Sequence, residues 1–515
     1  MTKLRGAALA LTCAIATACT ATHAGLALAP ASAASTLTAD LDALFETPPF
    51  DTALWSARVE TLDMYGAAPP RVLYERNARS LVMPASNMKI VTMAAAAELL
   101  GWDHRFETTL AIEGDVRDGV LHGDVHVIGG GDPSISPSRS GQVEAFDAWI
   151  DALRDAGINR IAGRIIGNDD IFDDQSFGEG WAWDNLPYGY AAQVSGLQFS
   201  ENIAVLRVTP GAAEGDPATI TAEPQGHGLV IEAAVTTGPA ASRPWIALAR
   251  APGSTTLKVT GNVPAGAAPM LRTAAVLNPT QFFVEAFRLA LVDAGIAVDG
   301  EAVDSDAIDL DTTASAERRV VAVHRSAPLS ELAAYFMKAS QNLYGETFLK
   351  AIGRATSRRQ GSIASGRAAI SKLLASWGIE PGTYVIADGS GLSRYNELSA
   401  ALVTTVLRKM IEDERHRGWF MAALPVAGYD GTLDERMTDT ELQRAVQAKT
   451  GTISNARALS GVLTAPSGER FLFSIIANNF VRPSAEVDAV AEAALRRVLR
   501  EARPAEPDAP RPTAR

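Results

Sequence analysis

Three short groups of residues in this chain have the types and spacing for acyl-transfer chemistry. The first is Ser86-Asn87-Met88-Lys89. At the start of a helix, residues i and i+3 share a face, so the lysine amine lies over the serine hydroxyl. A serine hydroxyl is a poor nucleophile until a neighbour takes its proton. Lysine serves as that base when burial and nearby positive charge lower its pKa. The helix N-terminus adds a favourable partial charge for an alkoxide or oxyanion. The plain alternative is a serine cap followed by a surface lysine. Against it, the segment carries Met88, Ile90, Val91, Met93, four consecutive alanines, Leu99 and Leu100. A charged lysine in so apolar a setting is costly without a purpose.

The second group is Ser340-Gln341-Asn342. Its hydroxyl can relay a proton between the lysine and a leaving group, and its asparagine amide can hold a substrate carbonyl. Ser200-Glu201-Asn202 matches the same pattern. Ser340 is preferred because it lies between two apolar helical segments, where a buried polar loop needs a reason. Ser200 falls in a β-rich region and reads as a turn at a strand end. The third group is Lys449-Thr450-Gly451-Thr452 on an expected strand edge. Lys449 would attract a substrate carboxylate and Thr450 would hydrogen-bond it. Gly451 would let the substrate backbone approach. The backbone N–H groups of Ser86 and Thr452 would form an oxyanion hole.

The elements that must hold these groups can be read from hydrophobic periodicity. A helical patch near Leu41–Phe45 precedes strands at Trp55–Leu62 and Val72–Tyr74. The Ser86 helix runs to about Leu100, with Gly101 placed to cap it. From residue 102 to 278, strand-like segments alternate with Gly, Pro and Asp turns at Thr108–Ile112, Val125–Ile128, Ile165–Ile166, Val205–Val208, Leu229–Val235 and Leu257–Val259. One helix, Ala145–Ala156, interrupts them. This reads as a mostly β insertion of one or two subdomains. Helices return from Pro279: Thr280–Ala294, Leu329–Ser340, Leu343–Ala355, Ala364–Trp377 and Ser399–Glu412. Ala445–Thr450, Leu459–Thr464 and Phe471–Ala477 read as adjacent antiparallel strands, and Pro483–Ala502 as a last helix. The expected organisation is α+β. A discontinuous catalytic unit of residues 34–101 and 279–502 is split by an inserted unit of 102–278, and a tail of 503–515 is expected to be disordered.

Composition narrows the function classes. A net charge of -13 disfavours nucleic acid, since phosphate recognition wants a basic face. No stretch beyond the N-terminus is apolar and long enough to span a bilayer. Residues 1–33 have the layout of a secretory signal peptide. Lys3 and Arg5 come first, then an Ala/Leu/Thr-rich run free of acids, then Ala31-Ser32-Ala33 as a cleavage pattern. The 2 cysteines, Cys13 and Cys19, both lie in this leader. A mature chain would have neither disulfides nor a thiolate nucleophile. Cys19 as a lipid-attachment site is a lesser alternative, because Ala16-Thr17-Ala18 lacks the leucine such sites favour. The leader implies export to a periplasm or cell wall.

The residues also carry a family resemblance. The three groups, in this order, resemble those of the penicillin-binding proteins. More closely, the chain resembles the low-molecular-mass, class C members of the D-alanyl-D-alanine carboxypeptidase/endopeptidase type. The matching runs are Pro84–Lys89, Gly129-Gly130-Gly131-Asp132-Pro133, Gly180–Tyr190, Ser200-Glu201-Asn202, Asp388–Ser393, Leu424-Pro425 and Gly431-Thr432-Leu433. The resemblance spans about Leu41 to Leu499. It implies a penicillin-recognition fold, with helices beside an antiparallel sheet and a large insertion between the first and second motifs. It implies a serine peptidase acting on peptidoglycan peptides, acylated by β-lactams, with no metal or organic cofactor. Ile453–Arg457 departs from the pattern in carrying more polar bulk.

Trp181, Trp183, Asp184, Tyr188 and Tyr190 cluster in the insertion. Core packing explains such a group. A functional reading has Asp184, Trp181 and Tyr190 gripping the free ammonium of a stem peptide. His122 and His126 would share a metal only on a helix, and this stretch reads as strand. Two other classes stay open: a β-lactamase, which needs a positioned group for fast deacylation, and a non-catalytic wall-binding protein of the same fold. No E-x-x-x-N pattern follows Asn342, and a binder has no need of a buried serine–lysine pair.

Overall fold

The computed structural model describes residues 34–502, apart from 67–68, 139 and 309–317. The leader with its cysteines and the tail from 503 lie outside the described residues. A five-stranded antiparallel sheet runs in the order Val446–Ile453, Ala456–Thr464, Arg470–Asn478, Leu54–Leu62, Val72–Arg76. Alternation along Leu54–Leu62 assigns its two faces. Trp55, Ala57 and Val59 join the core under the Ala34–Phe45 and Ser484–Glu501 helices. Ser56 and Glu60 face the other way. Ser56 Oγ accepts from Ala400 N, and Glu60 pairs with Arg408 on the Ala400–Glu412 helix at 2.7 Å.

The second core is helical. The Met88–Leu99 helix runs through it, buried from Met88 to Ala97. Its apolar residues on every side left no solvent face to find. Gly101, at φ 88°, ends it, with its N–H bonded to Ala96 O. Around it pack the Leu329–Lys338, Asn342–Ser357, Ile363–Ser376, Ala400–Glu412 and Glu414–Ala423 helices. The sheet and this cluster meet along the first motif.

The insertion leaves and returns through a two-stranded stem. Phe106 N–H donates to Ser326 Oγ and Ser326 N–H to Phe106 O; Leu329 N–H donates to His104 O and Ser330 N–H to Trp102 O. Beyond the stem lie two units. One is a mixed five-stranded sheet, Ala302–Asp304, Ile165–Asn168, Val125–Ile128, Glu107–Ile112, Arg319–Arg325. The Glu144–Asp155 and Pro279–Asp293 helices share its core. The other is a pair of three-stranded sheets drawn from Ile203–Ala275, closed on their own apolar core.

The expected return to the catalytic unit at residue 279 is therefore corrected. Phe282, Phe283 and Phe287 pack on Phe146, Trp149 and Phe199 of the insertion. Amphipathic periodicity shows that a helix buries a face, but not against which core. The helical cluster resumes at Leu329. The insertion is also less purely β than expected, since its first unit is a helix-covered sheet.

Candidate active site

The first motif opens with a strained turn. Ala85 takes φ 47°, rare for a residue with a Cβ. Residues Ala85–Asn87 form a 3₁₀ turn that feeds the buried helix. Asn87 Nδ2 anchors this turn to the sheet through Ser460 Oγ, 2.5 Å away. Two glycines make the approach possible. A Cβ on Gly451 would lie 2.7 Å from Pro84 O, and one on Gly391 would lie 1.9 Å from Ala85 O. Gly451, expected to admit the substrate backbone, is thus required first by the turn beneath it.

Lys89 is fully buried. Its Nζ lies 3.0 Å from Ser86 Oγ, 2.6 Å from Asn342 Oδ1 and 2.7 Å from the carbonyl of Ser390. Burial lowers its pKa to about 7, against the opposing charges of Asp388 and Glu346. A neutral lysine has two N–H bonds and one lone pair. Asn342 Oδ1 and Ser390 O can only accept, so they take the two protons. The lone pair is left facing the Ser86 hydroxyl. The Asn342 orientation is fixed from its other side, where Nδ2 donates to Tyr190 O at 2.8 Å.

The loop presenting Ser390 O is folded by two buried carboxylates. Asp388 accepts from the backbone of Gly391 and Ser393, from Asn396 Nδ2 and from Trp181 Nε1. Glu346 accepts from the N–H groups of Gly389 and Ser390. Burial and the neighbouring Asp388 push Glu346 up to about 8.

Ser340 sits at φ 58°, and its Oγ accepts from Lys449 Nζ at 2.9 Å. Lys449 is also fully buried, and burial plus the Lys89 charge hold it well below the usual lysine range. Thr450 Oγ1 bonds Thr432 Oγ1 at 2.7 Å. Ser86, Ser340, Asn342, Thr432, Thr450 and Thr452 line one cavity of about 370 Å³, joined by Asn185, Tyr190, Leu392, Ile453 and Ser454. Both lysines lie behind this wall. Lys449 is joined to the cavity through its bond to Ser340 Oγ. On the departing stretch, Arg457 pairs with Asp488 and hydrogen-bonds Thr452 Oγ1.

The three insertion residues singled out by sequence separate here. Tyr190 lines the cavity, stacked on Tyr188 at 5.4 Å. Trp181 braces Asp388 at 2.9 Å and packs on Phe177. Asp184 is exposed, near enough to Tyr190 to help burial and Tyr188 raise its phenol pKa. His122 and His126 lie on strands of different sheets, and His126 Nε2 meets Glu113 instead. Sequence assigns no role to Thr432 or to the Ser390 carbonyl, although both fall in runs that carry the family resemblance. The Ser200 turn is a strand-entry turn, as read.

Fold and site define a serine–lysine acyl-transfer enzyme of the penicillin-recognition class. The family model of D-Ala-D-Ala carboxypeptidase 3 (S13) matches residues 37–501, and the chain belongs to that family. It is 35% identical over 482 residues to a D-alanyl-D-alanine carboxypeptidase of Actinomadura sp. (strain R39), covering 90% of this chain and 86% of the relative. It is 26% identical over 415 residues to the D-alanyl-D-alanine carboxypeptidase DacB of Haemophilus influenzae, covering 80% and 83%. In fold it is similar to the crystal structure of penicillin binding protein 4 from Haemophilus influenzae. That match has TM-score 0.77 and 23% identity, and covers 90% of this chain and 99% of the other.

Proposed function

We propose that this serine carboxypeptidase hydrolyses D-alanyl-D-alanine ends, and D-alanyl cross-links, of peptidoglycan through an ester on Ser86. The observation carrying this is the Lys89 amine, buried with two pure acceptors and one lone pair at the Ser86 hydroxyl. Ser86 Oγ attacks the penultimate D-alanine carbonyl and Lys89 takes its proton. The Ser86 and Thr452 N–H groups hold the oxyanion. The C–N bond breaks, and the leaving amine receives a proton through Ser340, which Lys449 orients. Water then replaces Ser86 on the acyl carbon. Thr450 and Thr452 receive the terminal carboxylate, with Lys449 behind them. A β-lactam acylates Ser86 in the same way, but its leaving amine stays tethered and release is slow.

Residues 1–33 act as the export signal for a periplasmic or wall-associated protein. Asp184, with Tyr190 beside it, receives the free ammonium of a stem peptide. Asp184→Ala should weaken turnover of stem peptides with that ammonium and spare N-acylated ones. Equal turnover of both would remove this subsite.

The test is the intact mass of the mature protein after incubation with a penicillin, with Ser86→Ala as control. A one-to-one, long-lived adduct on wild type alone is expected. Consumption of the penicillin without a trapped adduct marks a β-lactamase, and an untouched penicillin marks a wall-binding protein. The acylation rate should rise with pH through about 7 and then level, because Lys89 must be neutral to act as base.

A further inference from the structure

We infer that Glu201, in the insertion, is a positioning residue for the second catalytic motif. This rests on the reading above, in which Ser340 and Asn342 serve acylation. Glu201 occupies a turn of three successive left-handed residues, with φ 50°, 55° and 57° at Ser200, Glu201 and Asn202. Residues with a Cβ adopt this conformation only when their surroundings impose it. Asn202 does so here. Its Oδ1 accepts from Phe199 N–H, and its Nδ2 donates to Gln193 O and Gln198 Oε1.

The turn aims the Glu201 carboxylate out of the insertion and into the catalytic unit. One oxygen accepts from the Tyr335 hydroxyl and the other from Gln341 Nε2. Tyr335 lies on the Leu329–Lys338 helix that leads into Ser340, and Gln341 caps the Asn342–Ser357 helix that follows. The two bonds therefore clamp both flanks of the motif. The opposite end of the Gln341 amide accepts from Leu343 N–H at 3.1 Å, so the whole side chain is immobilised. Only Tyr335 and Gln341 hydrogen bonds offset burial at this carboxylate, and burial raises its pKa. The carboxylate is half-buried and is held by these neutral donors across the boundary between the insertion and the catalytic unit.

The purpose of these bonds is geometric. Ser340 must keep a left-handed backbone and a 2.9 Å bond to Lys449, while Asn342 must keep 2.6 Å to Lys89. A displacement near 1 Å at such a site lowers rates by about a hundredfold. The insertion supplies a second tie in the Tyr190 carbonyl on Asn342. It is thus part of the catalytic frame.

The test is a swap. In Glu201→Gln one acceptor becomes an NH₂: facing Gln341 it meets a second NH₂, and turned over it makes the Tyr335 hydroxyl accept and leaves that hydroxyl's proton without its partner. Adding Gln341→Glu reverses donor and acceptor, and the new carboxylate can still accept from Leu343 N–H. Acylation by penicillin and turnover of an N-acylated D-alanyl-D-alanine peptide are measured for wild type, the single variant and the double variant. E201Q should lose about ten- to a hundredfold in acylation rate and in kcat, with KM within about threefold. The double variant should return to within about threefold of wild type, with all three melting within a few degrees. An unchanged E201Q overturns the inference, and so does a slow E201Q that the second change does not rescue. Absence of acylation in wild type instead overturns the proposed function itself.

Discussion

The chain contains two S-x-N turns that start alike and then diverge: Glu201 and Asn202 stay left-handed, whereas Gln341 is extended and Asn342 begins a helix. Ser200 and Ser340 both take left-handed backbones, at φ 50° and 58°. Each is followed by a polar residue and then by an asparagine. The asparagines also meet different partners. Asn202 is fully buried, and its amide is used within the insertion, on Phe199, Gln193 and Gln198. Asn342 reaches across chain segments to Lys89 and Tyr190 and lines the cavity. Ser340 has Lys449 on its hydroxyl. The tripeptide alone therefore does not distinguish the two turns; the lysines opposite Ser340 and Asn342 do. The two turns also touch, because the middle residue of one hydrogen-bonds the middle residue of the other.

The comparison is broken most sharply from the lysine side. Lys89→Ala should lower the penicillin acylation rate by about 10⁴, measured by stopped-flow or mass, since it removes the base of the serine. Ser340→Ala should lower peptide turnover by about 10² to 10³, with the melting temperature almost unchanged. Asn202→Ala should act chiefly on stability. It leaves a buried backbone N–H and carbonyl unpartnered and should destabilise the fold by about 2–3 kcal/mol in urea unfolding. The acylation rate of the folded fraction should fall by no more than the loss seen in E201Q, since Asn202 acts on the site only through the Glu201 turn. Ser200→Ala should shift stability by no more than about 0.5 kcal/mol and leave turnover unchanged. A large rate loss from Ser200→Ala would mean that the two turns had been assigned the wrong way round.

Much of the site could be read in advance because its logic is local. Ser86 and Lys89 are three apart on one helix, and the apolar run around Lys89 signalled its burial. Gly101 stops that helix as its position implied, and the three sheet strands after residue 445 fall within a few residues of their expected limits. What was missed is non-local. A backbone carbonyl such as that of Ser390 has no sequence signature, because every residue has one. Thr432 gained meaning only when a loop placed it on Thr450. The Glu414–Ala423 helix went unread, since its charged start and single bulky pair Trp419-Phe420 give weak periodicity. The aromatic helix after Pro279 was seen as a helix yet given to the wrong core. The burial of Lys449 beside Ser340 depends on the depth of a cavity formed by six separate segments.

The stem at Trp102–Phe106 and Ser326–Ser330 makes the inserted segment separable in geometry but not in function. Its strands are hydrogen-bonded neighbours, so the ends of the inserted segment lie side by side. Segments with adjacent ends can enter a parent fold at a surface loop with little entropic penalty. A short turn from Trp102 to Ser330 would close the parent architecture again. Yet such a deletion would strip the carbonyl from Asn342 and the carboxylate from Gln341. Closing the stem is simple for the chain, but the second motif would lose two of its supports.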